Sequence, residues 1–284
     1  MITLVWQTNR ELSWETDWIE FLFNNIDHVT ITDYDFKTEI DQSIFIYNKY
    51  SFNYHYFESL YKKGIKFGLI HLSDEWGQDT IDHYKFAKFV LRNYYKDLGP
   101  NVLNFPLGWM QTFPQNLNSK TVQERNLVWS FSGHVDKTTR PLMAENMLKI
   151  TGGQGFFKKC GEIWGPFQGH ALNPNQLADL YNNSIFVPCP QGNCSIDSLR
   201  VCEALQVGAI PIVEKSEYWS KLYGDDNPLI KISSWDESPT LIKDLLDDLD
   251  LLENKRKNIY EWWKNHCGKV KLDIQKLIEK YYDN

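Results

Sequence analysis

The amino-acid sequence predicts an α/β protein with two parallel-sheet domains and a helical tail. β-rich runs alternate with segments of helical periodicity, and this pattern restarts after a polar, irregular stretch at residues 108–125. With 284 residues, 42% of them hydrophobic, the chain is long enough for two ordinary domains. We expect domains at 1–125 and 126–265, and a C-terminal helix at 266–284 with room to pack back on the first domain. Two parallel sheets also predict a ligand cleft between their carboxyl ends.

In the first half, β-rich runs predict strands, and apolar residues at helical spacing predict two helices. The predicted helices are Ser13–Asn24, behind a Ser N-cap, and Tyr54–Lys62. An apolar segment at 86–95 lies between the last two strands and carries no assigned type. The predicted strands are Ile2–Trp6, His28–Thr32, Ser43–Tyr47, Lys66–His71 and Asn101–Phe105.

The second half begins with a predicted strand at Leu127–Ser132, followed by a loop and a helix. Another strand is predicted around Phe156–Cys160, after a Gly-rich run. Asn173 and Pro174 then supply an N-cap and a first-turn Pro for a further helix. The tail from residue 239 onward is expected to be helical and strongly charged.

The stretch SIFVPCPQGNCSIDSLRVCEALQVGAIPIVE predicts a strand, a polar loop, a helix and a second strand. The strands are Ser184–Pro188 and Ala209–Val213, the loop is Cys189–Ile196, and the helix is Asp197–Val207, which ends at Gly208. Unpaired N–H groups and the positive end of the helix dipole favour an anion at such a loop. The stretch therefore predicts a phosphate-binding site.

The predicted helix carries a polar edge opposite an apolar face. Asp197, Arg200 and Glu203 follow one another at three-residue steps, which places them along one side of a helix. A buried helix has little use for such an edge unless something polar docks on it. A second anion site is expected in FSGHVDKTTR, where Gly133 would let a phosphate approach, and Lys137 and Arg140 would bind it. The alternative for these two cations is a solvated basic pair.

Composition excludes several classes of protein. The net charge of −7 and pI near 5.5 argue against a nucleic-acid partner. The five cysteines lack the spacing of a disulfide framework or a zinc site, and no run of about 18 apolar residues predicts a membrane span. The N-terminus does not read as a signal peptide, so we expect a soluble, cytoplasmic protein without membrane insertion. The high aromatic content of 15% is typical of carbohydrate sites, although most rings fill cores.

The string VPCPQGNCSIDSLRVCEALQVGAIPIV resembles the donor-site signature of exostosin-type glycosyltransferases. There a Cys-Pro-x-Gly loop leads into Asp-Ser-x-Arg-x-x-Glu-Ala-Leu and then Gly-x-Ile-Pro. The segment GLIHLSDEW is similar to one in short soluble members, including xylosyltransferase-like proteins of large algal viruses. The resemblance implies a GT-B architecture of two Rossmann-like domains, an inverting mechanism, and UDP-xylose as first choice of donor, with UDP-glucuronate or UDP-galactose as alternatives. It implies a glycan acceptor, whose identity the sequence does not give.

The resemblance also implies roles for the loop and helix residues. Glu203 would accept hydrogen bonds from the ribose hydroxyls, and Ser195, Asp197 and Ser198 would order the loop so that its N–H groups reach the diphosphate. Arg200 completes this expected donor site. The alternatives are a surface ion pair between Glu203 and Arg200, and a plain helix N-cap by Ser195 or Asp197.

The sequence leaves alternatives for the catalytic base and for the residues that contact the nucleobase. Trp164 and Phe167 could contact uracil, or they could be core residues. A base is expected from the first half, where Asp74 and then Glu75 follow the predicted strand ending at His71. His71 itself could instead be a packed strand-end histidine.

We expect no metal and no other cofactor, because a helix dipole and an arginine can replace the cation in a GT-B site. Asp33-Tyr34-Asp35 matches the DxD metal motif of other transferases but lies in the acceptor half. The chain offers neither a GxGxxG dinucleotide motif nor a Walker A sequence. A noncatalytic nucleotide-sugar or carbohydrate-binding module stays open as the alternative to an enzyme.

Overall fold

The computed structural model describes residues 1–32, 35–115, 117–158 and 172–282. The chain forms two compact units, the first from Met1–Leu107 with Cys267–Asn284 and the second from Gly108–His266. Each unit contains one sheet, and every strand pairing described in either sheet is parallel. Whether the chain folds as separate domains divided at residue 125 stays a prediction.

The first unit is a six-stranded sheet in the order β2-β1-β3-β4-β5-β6. Its helices are α1 (Thr16–Phe23) and α2 (Tyr54–Lys62). The unit is completed by the end of a long helix that begins in the second unit. Its strands are β1 (Ile2–Trp6), β2 (His28–Thr32), β3 (Ser43–Tyr47), β4 (Phe67–His71), β5 (Val90–Arg92) and β6 (Val102–Asn104).

Strands β3 and β4 form the centre of this sheet. Every residue of both strands is buried, as expected of a parallel sheet that is covered on both faces. On one face, Phe45 packs edge-to-face against Tyr56, Phe57 and Phe67. The sequence SIFIY at residues 43–47 therefore predicts a strand in the middle of the sheet.

The second unit is a five-stranded sheet in the order β11-β10-β9-β7-β8. Its strands are β7 (Leu127–His134), β8 (Gly153–Lys158), β9 (Ser184–Cys189), β10 (Ile210–Glu214) and β11 (Ile230–Ile232). Its helices are α3 (Arg140–Met147), α4 (Pro174–Asn182), α5 (Leu199–Gln206), α6 (Glu217–Tyr223), α7 (Ser238–Leu246) and the start of α8 (Leu249–Tyr282). None of the described helices has both the length and the apolar character needed to cross a bilayer.

Both sheets reverse their strand order at one point. In the first unit the reversal lies between β1 and β3, and in the second it lies between β7 and β9. Loops that leave such neighbouring strands run to opposite faces of the sheet and open a crevice at the carboxyl ends. Each unit therefore presents one natural ligand position, after β1 and β3 or after β7 and β9.

The predicted α/β class with two Rossmann-like sheets is confirmed, and several element assignments need correction. The apolar segment at 86–95 contains strand β5, and the strand expected at Phe156–Cys160 begins earlier, at Gly153. Gly153 pairs with Trp129, and a Cβ at this position would lie 1.9 Å from the indole. The strand therefore includes most of the Gly-rich run, where glycine leaves room for the neighbouring ring.

The helix predicted from Asp197 begins two residues later, at Leu199. Ser198 has an extended backbone, with φ −152° and ψ 151°, and is the N-cap in place of Ser195 or Asp197. The first helix likewise begins at Thr16 rather than Ser13, with Glu15 before it. In both cases a polar residue bonds inside the loop and delays the helix.

Candidate donor site

The candidate site of the second unit lies where β7 and β9 end side by side. The loop after β7 leads into α3, and the loop after β9 leads into α5. The two helix N-termini therefore follow the two strands of the reversal point. Free N–H groups and the positive ends of the helix dipoles make this edge favourable for an anion.

Arg200 contacts the backbone near the carboxyl end of β7. Its Nη2 donates to the carbonyl oxygen of Ser132 at 2.8 Å, and its guanidinium carbon lies 4.4 Å from the ring centre of Phe131. Gly133 has φ +148°, and a Cβ there would lie 3.0 Å from Arg200 Nη2. An added side chain would crowd the guanidinium, so glycine at this position leaves room for the contact of Arg200 with the backbone.

Arg140 joins the two loops. It is buried, and it donates from Nε to the carbonyl of Gln191 at 3.0 Å and from Nη1 to the carbonyl of His134 at 3.2 Å. Half-buried Lys137 forms a hydrogen bond to the side chain of Asn193. These residues are not a solvated basic pair, because Arg140 is inside the protein. A direct phosphate contact by Arg140 stays a prediction, since two of its donor groups hold backbone carbonyls.

The caps of the two helices are unusual. Thr139 and Ser198 occupy the N-cap positions of α3 and α5, and neither side chain caps its helix. Both hydroxyls are buried and have no hydrogen-bond partner among the residues that the structure describes. Buried hydroxyls are normally satisfied, so two such groups at one edge indicate a polar ligand.

The loop before α5 is ordered by its own side chains. Ser195 Oγ accepts from the amide of Asp197 at 3.1 Å, and Asp197 Oδ1 accepts from the amide of Ser198 at 2.8 Å. Tyr218 donates its hydroxyl to Asp197 Oδ2 at 3.0 Å. Burial raises the pKa of Asp197 to about 7, against these hydrogen bonds. Asp197 therefore shapes the loop, and the contact of this loop with a diphosphate stays a prediction.

Glu203 is a buried carboxylate and not a surface ion pair. Its side chain is 3% exposed, and Oε1 accepts a long hydrogen bond of 3.4 Å from the amide of Met110. No ion pair of Glu203 occurs among the described residues. Burial raises its pKa to about 7, and the attraction of Arg200 only partly opposes this effect. A ligand that donates two hydroxyl groups would satisfy this carboxylate.

The predicted base residues lie at the carboxyl end of β4 in the first unit. Asp74 is buried, and its Oδ2 accepts from Arg92 Nη2 at 2.8 Å. Its Oδ1 accepts from the amides of Gln78 and Asp79 at 3.0 and 3.2 Å. Burial raises the pKa of Asp74, but the hydrogen bonds from Arg92 and the Asp79 amide, with the charges of Arg92 and His71, together outweigh burial, and the pKa lies below its ordinary value. This environment is that of a structural anchor, and the role of Asp74 as the base stays a prediction.

His71 is the last residue of β4 and is 1% exposed. Its Nε2 lies 3.1 Å from Asp79 Oδ2, its Nδ1 lies 2.6 Å from the hydroxyl of Tyr84, and its ring stacks on Tyr47. Burial lowers the pKa of His71 although the bond with Asp79 opposes this shift. The packed strand-end alternative describes this histidine well, because both ring nitrogens are engaged. Glu75, the other candidate base, is half-buried.

Several sequence-predicted positions lie outside the described residues. Trp164 and Phe167, the expected uracil contacts, fall there, as do Asp33 and Tyr34 of the DxD string. Within the described part of the chain, no group of three or more His, Cys, Asp or Glu residues is arranged to hold a metal ion.

Two features of these sites were missed by the sequence analysis. Arg92 was not singled out, although an arginine at the end of the apolar run FVLR is a signal for a buried charge pair. Thr139 was also missed, because a threonine before Arg-Pro reads as an ordinary helix cap.

No protein-family model matches this chain, and a comparison with curated proteins finds no match either. Solved structures do match. An α1,3-fucosyltransferase superposes with a TM-score of 0.56 at 10% identity, covering 98% of this chain and 90% of that chain. OtsA in its apo form superposes with a TM-score of 0.57 at 8% identity, covering 97% of this chain and 98% of that chain. The DNA-modifying enzyme β-glucosyltransferase was solved with and without uridine diphosphoglucose. It superposes with a TM-score of 0.52 at 12% identity, covering 98% of this chain and 99% of that chain.

These likenesses extend over nearly the whole chain and confirm the predicted GT-B fold. At identities this low they establish architecture and not chemistry, because one fold carries many activities. The activity has to be inferred from the site.

Proposed function

We propose that this protein is a glycosyltransferase that takes a sugar from a UDP-sugar and transfers it to a hydroxyl of a glycan acceptor. The observation that carries the proposal is the edge of the second unit after β7 and β9. Half-buried Arg200, two helix N-termini with unsatisfied cap hydroxyls, and the buried carboxylate of Glu203 occur there together. Cationic and N–H groups suit a diphosphate, and a carboxylate suits a ribose diol.

The chemistry requires no cofactor. The acceptor oxygen attacks the anomeric carbon, the bond from that carbon to the diphosphate oxygen breaks, and the acceptor proton passes to a base. Negative charge develops on the departing UDP, where Arg200 and the helix N-termini would stabilise it. Attack opposite to the leaving group inverts the anomeric configuration.

The finer assignment rests on the sequence resemblance. The Cys-Pro-x-Gly loop and the Asp-Ser-x-Arg-x-x-Glu-Ala-Leu string support an exostosin-type enzyme. UDP-xylose is our first candidate for the donor, followed by UDP-glucuronate and UDP-galactose. The β-glucosyltransferase solved with uridine diphosphoglucose supports a uridine nucleotide in this fold.

A thermal-shift panel tests the donor. The protein is heated with UDP, UDP-xylose, UDP-glucuronate or ADP, since a ligand that binds only the folded state raises the melting temperature. We expect shifts with the uridine compounds and none with ADP. No shift with any uridine compound would overturn the proposal.

A matched pair of variants locates the binding site. Glu203→Gln should weaken UDP affinity about ten- to a hundredfold, as expected when a charged hydrogen bond worth about 1.5–3 kcal/mol is lost. Glu217→Gln is the control, because Glu217 has an 86% exposed side chain in the same unit. Calorimetric titration of both variants checks the prediction, and equal affinities would place the nucleotide elsewhere.

A further inference from the structure

Three loops of the first unit converge on one carboxylate, Glu15. It follows β1 in the chain, and its Oε1 accepts from Ser73 Oγ at 2.6 Å and from Asn93 Nδ2 at 3.3 Å. Its Oε2 accepts from Ser13 Oγ at 3.2 Å. Ser73 follows β4 and Asn93 follows β5, so the carboxylate lies at the carboxyl edge of the sheet. The residue is 6% exposed.

Glu15 differs from Asp74 in the partners that hold it. Asp74 is paired with a buried arginine and with two backbone amides, which favour its charged form. Glu15 is held by two hydroxyls and one amide, and no ion pair of Glu15 occurs in the described part of the chain. A carboxylate without a neighbouring cation attracts the O–H group of an acceptor more strongly than one that is already paired. Glu15 is therefore the better general base of the two.

Two of the loops that hold Glu15 each carry an exposed tryptophan. Trp14 precedes it and is 48% exposed, and Trp76, three residues after Ser73, is 57% exposed. These are the only tryptophans of the described residues with so much exposed surface. Exposed indoles give flat, amphipathic surfaces on which the C–H faces of sugars stack.

Gln7 supplies a second, independent observation at the same edge. It follows β1 directly, at the reversal point of the sheet, and is 2% exposed. Neither Nε2 nor Oε1 of its amide has a hydrogen-bond partner among the residues described. A buried amide is normally satisfied, so this group is suited to a ligand that both donates and accepts, such as a hydroxyl-rich molecule.

We propose that Glu15 is the general base of the transfer reaction and that Trp14 and Trp76 border the acceptor, which is a carbohydrate. The inference rests on the proposed function. Glu15 takes the proton of the acceptor hydroxyl as its oxygen bonds to the anomeric carbon, and the electron pair of the broken bond leaves with UDP. The proton stays on the carboxyl until it is released to water.

Glu15→Gln tests the base. Transfer is followed as UDP release from the donor with the largest thermal shift, with a panel of methyl glycosides as acceptors. We expect kcat to fall about a hundred- to ten-thousandfold, while the thermal shift with UDP is unchanged. The acid limb of the wild-type pH profile should disappear in the variant. Glu11→Gln, an exposed change in the same loop, should behave as wild type.

The outcomes separate the two proposals. If wild type shows no shift with UDP, the proposed function fails, whatever Glu15 does. If wild type transfers and Glu15→Gln is within twofold of it, the base assignment is wrong. Should Glu15→Gln melt early, Glu15→Asp decides at a temperature where both are folded. Activity at least tenfold above that of the Gln variant supports the base, and equal activity contradicts it.

Trp14→Ala and Trp76→Ala test the acceptor surface. Each should raise KM for methyl glycosides several-fold and leave UDP affinity unchanged. Tyr61→Ala is the control, because Tyr61 is 56% exposed on α2, away from the carboxyl edge. If the tryptophan variants keep the KM for glycosides, or lose only activity toward an aromatic alcohol such as 2-naphthol, the carbohydrate assignment is wrong.

Discussion

At the carboxyl edge of the second unit, buried Arg140 and half-buried Arg200 lie with two helix N-termini, and the setting favours anions. At the same edge of the first unit, the buried cation Arg92 is already neutralised by Asp74, and Glu15 stands without a cation among the described residues. Both sheets are parallel and reverse their order once. The same topology thus carries a setting that favours anions in one unit and, in our proposal, the proton acceptor in the other.

The largest predicted effect concerns the neutralised pair of the first unit. Arg92→Ala should lower the free energy of unfolding by about 3–5 kcal/mol, because it leaves the charge of Asp74 buried and unpaired. Urea denaturation measures the change. Lys62→Ala, which breaks an exposed pair with Glu58, is the control and should cost less than about 1 kcal/mol.

Asp74→Asn then distinguishes an anchor from a base. Loss of stability, with transfer retained where the protein is folded, supports the anchor. A fully stable Asp74→Asn variant that has lost transfer would instead support Asp74 as the base and contradict the contrast between an anchoring Asp74 and a catalytic Glu15.

The second unit should show a pH dependence that depends on Glu203. Burial raises its pKa from 4.5 to about 7, so the folded protein holds this proton more tightly than the unfolded chain. The resulting stabilisation is fully present below pH 4.5 and is lost as the pH rises through 7, a change on the order of 3 kcal/mol. Glu203→Gln should reduce the fall in the free energy of unfolding between pH 5 and 8, measured by urea denaturation, and should leave the part that Asp197 contributes. A pH dependence parallel to that of wild type would refute the shift.

A smaller effect is expected at Gly133. Gly133→Ala should cost about 1–3 kcal/mol through crowding against Arg200, beyond the strain of its backbone angle. The same change in an Arg200→Ala background is the matched control, because it keeps the backbone angle of φ +148° and removes the guanidinium that an added Cβ would crowd. Denaturation midpoints compare the two. Equal losses would show that Arg200 does not confine the loop.

The smallest expected effect is that of a chelator. If Arg200 and the helix N-termini stabilise the leaving diphosphate, EDTA should leave the rate of UDP release unchanged. Loss of activity in EDTA that manganese restores would assign that task to a cation and weaken the contrast between the two edges.

Much of the fold could be predicted because the strands of a covered parallel sheet are apolar runs. SIFIY and FGLIH predict β3 and β4 almost to the residue. The three-residue strand β5 was not resolved within its apolar segment, because length and periodicity are too short there to separate strand from helix. The start of α5 was wrong by two residues, since the extended backbone of Ser198 depends on bonds made inside the loop.

The sites at the carboxyl edges of the two sheets differ in how much of each could be predicted from the sequence. Arg200 and Glu203 lie on one short helix within one motif, so their spacing predicts a shared site. Glu15 has its partners at Ser73 and Asn93, which only the folded sheet brings together. It reads in the sequence as an ordinary position of a predicted helix. Arg92, the partner of Asp74, could not be predicted for the same reason.

The most direct test of the central claim is a transfer assay on the wild-type protein. It is incubated with each UDP-sugar and a panel of methyl glycosides, while UDP release and the anomeric configuration of the product are followed by NMR. We predict release of UDP together with a glycoside of inverted configuration. Binding of UDP-sugars without release of UDP for any acceptor would contradict the account and leave a noncatalytic nucleotide-sugar-binding protein.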